Sequence, residues 1–201
     1  MTAFKWFVSY FTLVCITIMG VIYTEVHIKK NYDKVYSTQF VYAEIGRDAL
    51  DLAKILHAAK PNEVITLYIM TPGGDAVYGW ELLKAINKST AKIILTVRSH
   101  ANSLGAIMVC GKHDGLDLDD DAILLFHTMQ TMNGLTQVAI TRKDIGKESQ
   151  LSQMVFKRIY EYVETNCRKA FTDKEWTDMW DNGTNILMTG KEYKKRMGIV
   201  S

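Results

Sequence analysis

Twice in close succession the chain runs through the same three-part unit: a short β-branched apolar run, a turn of small or polar residues, then a helical stretch. ITLYIM, residues 65–70, leads into TPGG and then AVYGWELLKAI, while KIILTV, residues 92–97, leads into SHAN and then SLGAIMVC. Apolar runs of this length bounded by turn residues read as buried strands. A strand that feeds a helix before the next strand favours parallel pairing, because parallel neighbours need a crossover. FVYAEI before RDALDLAKILHAA, and AILLFH after the second unit, continue the alternation. The expectation is an α/β fold with a largely parallel sheet. Further on, SQLSQMVFKRIYEYVETNCR, residues 149–168, reads as one long helix whose stripe of Met154, Ile159, Tyr162 and Val163 serves packing or an oligomer contact. With Pro61 and Pro72 as its only prolines, the chain has no proline-rich linker to divide it.

A net charge of +2 over 201 residues leaves no basic excess of the kind that marks nucleic-acid binding. Cys15, Cys110 and Cys167 are few and widely spaced, so they read as reduced packing thiols. The amino end is different. WFVSYFTLVCITIMGVIY, residues 6–23, is uncharged and mostly apolar, with Trp6, Tyr10 and Tyr23 near its ends, and reads as a single membrane anchor. Lys5 precedes it and Lys29, Lys30 and Lys34 follow it, which by the positive-inside tendency points the rest of the chain to the cytoplasm. HIKKNYDKVYSTQ reads as a stalk. The resulting division is 1–30 for the anchor and start of the stalk and 31–201 for the remaining domain. The acidic loop GKHDGLDLDDD, which includes His113, lacks the ligand spacing of an EF-hand and reads as a solvated turn.

Amide hydrolysis by serine needs a hydroxyl, an imidazole to take its proton, a group to orient that imidazole, and donors for the oxyanion. Ser103 lies where KIILTV-SHAN gives way to a helix, backed by small Gly105 and Ala106. An N-cap serine would look the same. TPGG can present backbone N–H groups to a ligand oxygen, which makes Gly74 one candidate oxyanion donor and the main chain of Leu104 the other. By itself, PGG is also an ordinary turn. His127 ends AILLFH at the same kind of strand edge, though a structural histidine would fit there too. Of the others, His27 falls in the stalk, His57 on a helix, and His100 very near the nucleophile turn.

Taken together, LYIMTPGGDAVYGWELLKAI, SHANSLGAIMV, AILLFHTM and the closing TGKEYKKRMGIV resemble, in order, segments of the proteolytic subunit of the ATP-dependent Clp protease and its wider group of Clp-fold serine peptidases. The resemblance spans residues 40–201. It implies a Clp/crotonase-type spiral of ββα units with a long protruding helix, and a serine-type endopeptidase acting on peptides or unfolded proteins without cofactor or metal. It also implies stacked homo-oligomeric rings joined through the long helix, and an ATPase unfoldase partner.

Three features depart from the family pattern. The family's aspartate stands four residues before the Ser or Thr of the closing segment, a place held here by Asn185; Asp181 in MWDNG is the alternative. An anchor stands where the family has the loops that meet the ATPase ring, and FTDKEWTDMWDNGTN departs from the usual spacing. Two rival readings follow. One is a peptidase like signal peptide peptidase A, with Lys147 or Lys157 as base; the other is a membrane-bound adaptor or assembly protein that has lost turnover. Acyl-CoA hydratase chemistry on the same superfold lacks its glutamate pair here.

Overall fold

The computed structural model describes residues 34–133 and 136–199. Contacts divide the chain between Val35 and Tyr36, and apart from Lys34 and Val35 everything below belongs to the second unit. The run at residues 6–23, read as a membrane anchor, lies outside the described residues. Among the described residues no helix is long and apolar enough to cross a membrane.

In chain order the elements are β1 (Val35–Ile45), α1 (Ala49–Ala58), β2 (Glu63–Gly74), α2 (Ala76–Lys88), β3 (Lys92–Val97), β4 (His100–Asn102), α3 (Leu104–Val109), β5 (Gly115–Leu118), β6 (Ile123–Phe126), β7 (Gln130–Asn133), β8 (Thr136–Ala139), α4 (Gln150–Cys167), α5 (Asp173–Asn182), β9 (Ile186–Thr189) and α6 (Gly190–Met197). Strands β5, β3, β2, β4, β6 and β9 lie side by side in that order, with β1 also paired to β2. The pairings of β2 with β3 and β4, of β3 with β5 and of β4 with β6 are all parallel. Only the closing pair β6–β9 among these is antiparallel. The long strand β2 is the pivot: its first half, from Val64 to Tyr68, pairs with β3, and Thr71 near its end pairs with Ala101 of β4. Both repeated units therefore deliver their turns to one edge of the sheet.

Helix starts follow local chemistry. The Asp75 carboxylate accepts the amides of Val77 and Tyr78 at 2.8 and 3.2 Å to open α2, and Thr172 with Glu175 forms a capping box at α5. Helix α4 buries Val155, Phe156, Ile159, Val163 and Cys167 on one face, while Leu151 and Met154 stay exposed. Of the stripe read from the sequence, Ile159 and Val163 thus join the core and Met154 does not. Between α4 and α5, Phe156 stacks on Tyr160, both meet Trp180 edge to face, Trp180 meets Trp176 the same way, and Phe171 meets Phe126 edge-on at 5.0 Å. That last contact steadies the strand end next to His127.

Several local readings change. Strand β1 begins at Val35, inside the stretch read as stalk; only Val41 and Ile45 of it are buried, so it carries almost no apolar alternation to read. SHAN holds a three-residue strand. The acidic loop contains β5, its Asp117 and Asp119 hold Arg98, and Asp120 pairs with Lys194 at 2.6 Å. A hairpin, β7–β8, occupies the region just before the long helix.

The cysteine reading is corrected for Cys110 and Cys167, while Cys15 lies outside the described residues. Cys110, the C-cap of α3, and Cys167, the last residue of α4, form a buried disulfide with Cα atoms 5.2 Å apart. Their 57-residue separation hid the pairing, because a disulfide is set by where two helix ends meet in space. Closing a loop of that length restricts the unfolded chain, by up to about 4 kcal/mol in the chain-entropy picture. Replacing both cysteines with serine is expected to lower the urea midpoint by a comparable free energy; an unchanged midpoint would rule the bond out as a stabilising cross-link.

Candidate active site

Ser103 is the single residue between β4 and α3, and its backbone sits at φ 55°, ψ −120°. A non-glycine residue in this region costs about 1–3 kcal/mol and persists only where its surroundings over-determine it. Here they do. The Ser103 amide donates to the Leu125 carbonyl at 2.7 Å across the sheet, and its own carbonyl accepts from Ile107 at 3.1 Å to start the helix. Every residue of α3 from Leu104 to Val109 is buried. The N-cap explanation does not fit: an N-cap residue has extended dihedrals and bonds its side chain to the first turn, whereas Ser103 does neither. What remains is a side chain held off the sheet edge at a sharp strand-to-helix turn, the geometry of a nucleophile elbow. The amide of Leu104, in the first turn of α3, has no carbonyl within the helix to bond. Next to the elbow, Asn102 Oδ1 is buried with no donor among the described residues.

The two glycines of TPGG do different work. A Cβ on Gly73, at φ +105°, would stand 2.4 Å from Ser103 Cβ and 2.9 Å from its Oγ, so the bare α-carbon of Gly73 forms the wall against which the serine rests. A Cβ on Gly74 would stand 2.2 Å from the Ile45 carbonyl oxygen, so Gly74 lets the end of β1 pass close. Sequence reading singled out Gly74 and missed Gly73; the paired glycines were the available signal, but which one faces the serine depends on the strand's register.

His127 follows β6, whose Leu125 pairs with Asn102 and receives the Ser103 amide bond. Serine and histidine thus leave adjacent parallel strands at the same end. The His127 Nδ1–H donates to the Thr128 carbonyl at 2.5 Å, which leaves Nε2 as the ring's acceptor. In the antiparallel β6–β9 ladder, Ile123 faces Thr189 and Phe126 faces Ile186. That ladder ends at Phe126 and Ile186; the same register carried one residue further would set His127 against Asn185, on the face opposite buried Phe126 and Ile186. Asp181 sits back on α5, where Arg142 grips its carboxylate through Nε at 2.5 Å and through Nη2. That guanidinium holds the Asp181 carboxyl below the usual carboxylate range. Arg196 of α6 bonds Glu175 of α5 at 2.7 Å, tying together the two helices that flank the segment with Asn185, and the Glu175 carboxyl is lowered to about 2 chiefly by that guanidinium.

The two lysines offered as alternative bases are surface groups. Lys147 pairs with Asp144 at 2.8 Å, a bond that pushes its ammonium up, the wrong direction for a base, and Lys157 faces Glu161 at 3.9 Å. His100 is engaged with Ser99 Oγ at 3.2 Å.

A family model described as Clp protease matches residues 22–192. No protein of curated function matches the chain.

Proposed function

Because the chain belongs to the Clp protease family, whose members are serine peptidases that form oligomeric rings and act on protein substrates, we propose that it is a membrane-anchored Clp-like serine endopeptidase cutting peptides and unfolded chains by a serine–histidine mechanism. In this reading the Ser103 Oγ attacks the scissile carbonyl while His127 Nε2 takes the hydroxyl proton. The amides of Gly74 and Leu104 receive the oxyanion, and the proton passes from His127 to the leaving amine. Asn185, just before β9, is the proposed third member, which would take the Nδ1–H that the Thr128 carbonyl holds in this structure. The observation that carries the reading is the strained backbone of Ser103 at a strand-to-helix turn, walled by Gly73 and bonded to the strand that ends at His127. An ordinary capping serine has no need of any of this.

The test is a fluorophosphonate probe. The Ser103 oxygen forms a bond to phosphorus, fluoride leaves, and the hydroxyl proton goes to His127. Labelling of the native protein that disappears in both Ser103→Ala and His127→Ala is the expected result. Labelling that survives His127→Ala would transfer the base role to a lysine, against the surface ion pairs of Lys147 and Lys157. A second reading, a membrane-bound adaptor or assembly protein without turnover, is favoured by one observation, the amide at position 185, and predicts no labelling in the native protein.

The proposal includes rings assembled through α4, supported by its exposed Leu151 and Met154, a spiral of ββα units, and a single-pass anchor at residues 6–23; it does not require an ATPase unfoldase. The two cues to sidedness oppose each other. The lysines after the anchor favour the cytoplasm, whereas a disulfide persists in oxidising compartments. We give the Cys110–Cys167 bond the greater weight, since a few lysines decide topology weakly, and propose the oxidising face. Alkylation of free thiols in intact cells that modifies Cys110 and Cys167 would return the domain to the cytoplasm.

A further inference from the structure

We infer that Thr71 is a positioning residue for Ser103: its one side chain ties together β1, the glycine turn and the nucleophile helix. The inference rests on the peptidase reading above. Thr71 is fully buried, a place where a hydroxyl must find partners among protein groups. It has them on both sides. Its Oγ1–H donates to the carbonyl of Ala43 in β1, and its oxygen accepts the Gly73 amide at 3.1 Å. Its methyl group occupies the space above α3, where a Cβ on Gly105 would come within 2.6 Å of it. Its backbone pairs with Ala101 in β4, the strand that ends at the elbow.

Each contact ends on a segment whose conformation the site depends on. Ala43 is the other described non-glycine residue with positive φ, at 57°, so the carbonyl that Thr71 holds belongs to a kink in β1 rather than to regular ladder. Gly73 is the wall of the Ser103 side chain. Its amide is consumed by Thr71, which fixes the turn beside Gly74, the oxyanion donor of the peptidase reading. Apolar packing alone would accept valine at position 71. A valine would take the hydroxyl away from the Ala43 carbonyl and leave the Gly73 amide buried without a partner, and the turn would rotate to find a new one. The serine then loses its wall, and the peptidase reading its oxyanion donor, together.

The experiment compares native protein, Thr71→Val and Thr71→Ser in the full chain. It measures the rate constant of fluorophosphonate labelling on the folded fraction, then kcat and KM on a peptide substrate that the native protein cleaves. The expected result is a labelling rate and a kcat reduced about 10–100-fold in Thr71→Val, with KM within about threefold of native, and both rates restored to within about threefold in Thr71→Ser, which keeps the hydroxyl and loses only the methyl. A merely structural role would lower the labelled fraction and the melting temperature but leave the rate constant per folded molecule unchanged. If Thr71→Val does not fold, Thr71→Ala, which adds no methyl opposite the Ala43 carbonyl, takes its place with the same expectation. Native labelling together with an unaltered rate constant in the hydroxyl-free variant would overturn the positioning role alone. Absence of labelling in the native protein would instead overturn the peptidase reading, and this role with it.

Discussion

Replacing Asn185 with aspartate raises kcat for peptide hydrolysis, by up to about ten-thousand-fold, the factor by which an asparagine in the orienting position of a serine triad slows the reaction. The argument is one of register and charge. The β6–β9 ladder ends at Phe126 and Ile186, and its register carried one residue further would set Asn185 against His127, where a carboxylate would stand beside the imidazole. The nearest natural carboxylate, Asp181, is occupied by Arg142. At present the ring is oriented by the Thr128 carbonyl through Nδ1, which selects the tautomer but adds no full negative charge when His127 becomes an imidazolium. An aspartate adds that charge at the moment it is needed. The check is kcat against pH for native protein and Asn185→Asp on one fluorogenic peptide. A variant with unchanged or lower kcat would mean that the Thr128 carbonyl already supplies all the orientation the ring uses, and that position 185 takes no part.

The second large effect is expected at Gly73. Gly73→Ala would put a methyl 2.4 Å from Ser103 Cβ, in a backbone conformation at φ +105° that side chains avoid. The serine must move, and a displacement on the order of 1 Å at the reacting atom costs about a hundredfold in rate. The folded domain should survive with a loss of about 1–3 kcal/mol from the backbone strain. Gly74→Ala is a harsher change of a different kind, because its Cβ would lie 2.2 Å from a β1 backbone oxygen, an atom with little room to move; loss of the β1 pairing is expected. Gly146→Ala, where a Cβ meets nothing within 4 Å, serves as the neutral control. Labelling rates and thermal melting of the three variants separate the cases. A Gly73→Ala protein that reacts at the native rate would remove Gly73 from the site.

Much of this was legible before any coordinates. β3 has the bounds KIILTV suggested, and α2 and α4 begin and end within a residue or two of their apolar stripes and caps. Buried parallel strands announce themselves as continuous apolar runs. What escaped reading was exposed or very short: the first half of β1, before FVYAEI, whose solvent-facing residues carry no alternation, the three residues of β4, β5 among aspartates, and the β7–β8 hairpin. Asn185 was placed by counting along a motif. Its place relative to His127 follows from how the β6–β9 register runs on past its last pair, which no count along the chain expresses.

The order of apolar runs, glycine turns and capping residues was enough to determine the α/β fold class and to make Ser103 and His127 candidates beside an N-cap serine and a structural histidine, because those signals are local and each acts within a few residues of itself. Only the tertiary structure decided which glycine faces the serine, that the serine is strained and is no cap, that Asp181 belongs to Arg142, and that Cys110 meets Cys167. Each of these depends on segments distant in sequence arriving at one point, and that arrival is set by strand register and helix packing summed over the whole core.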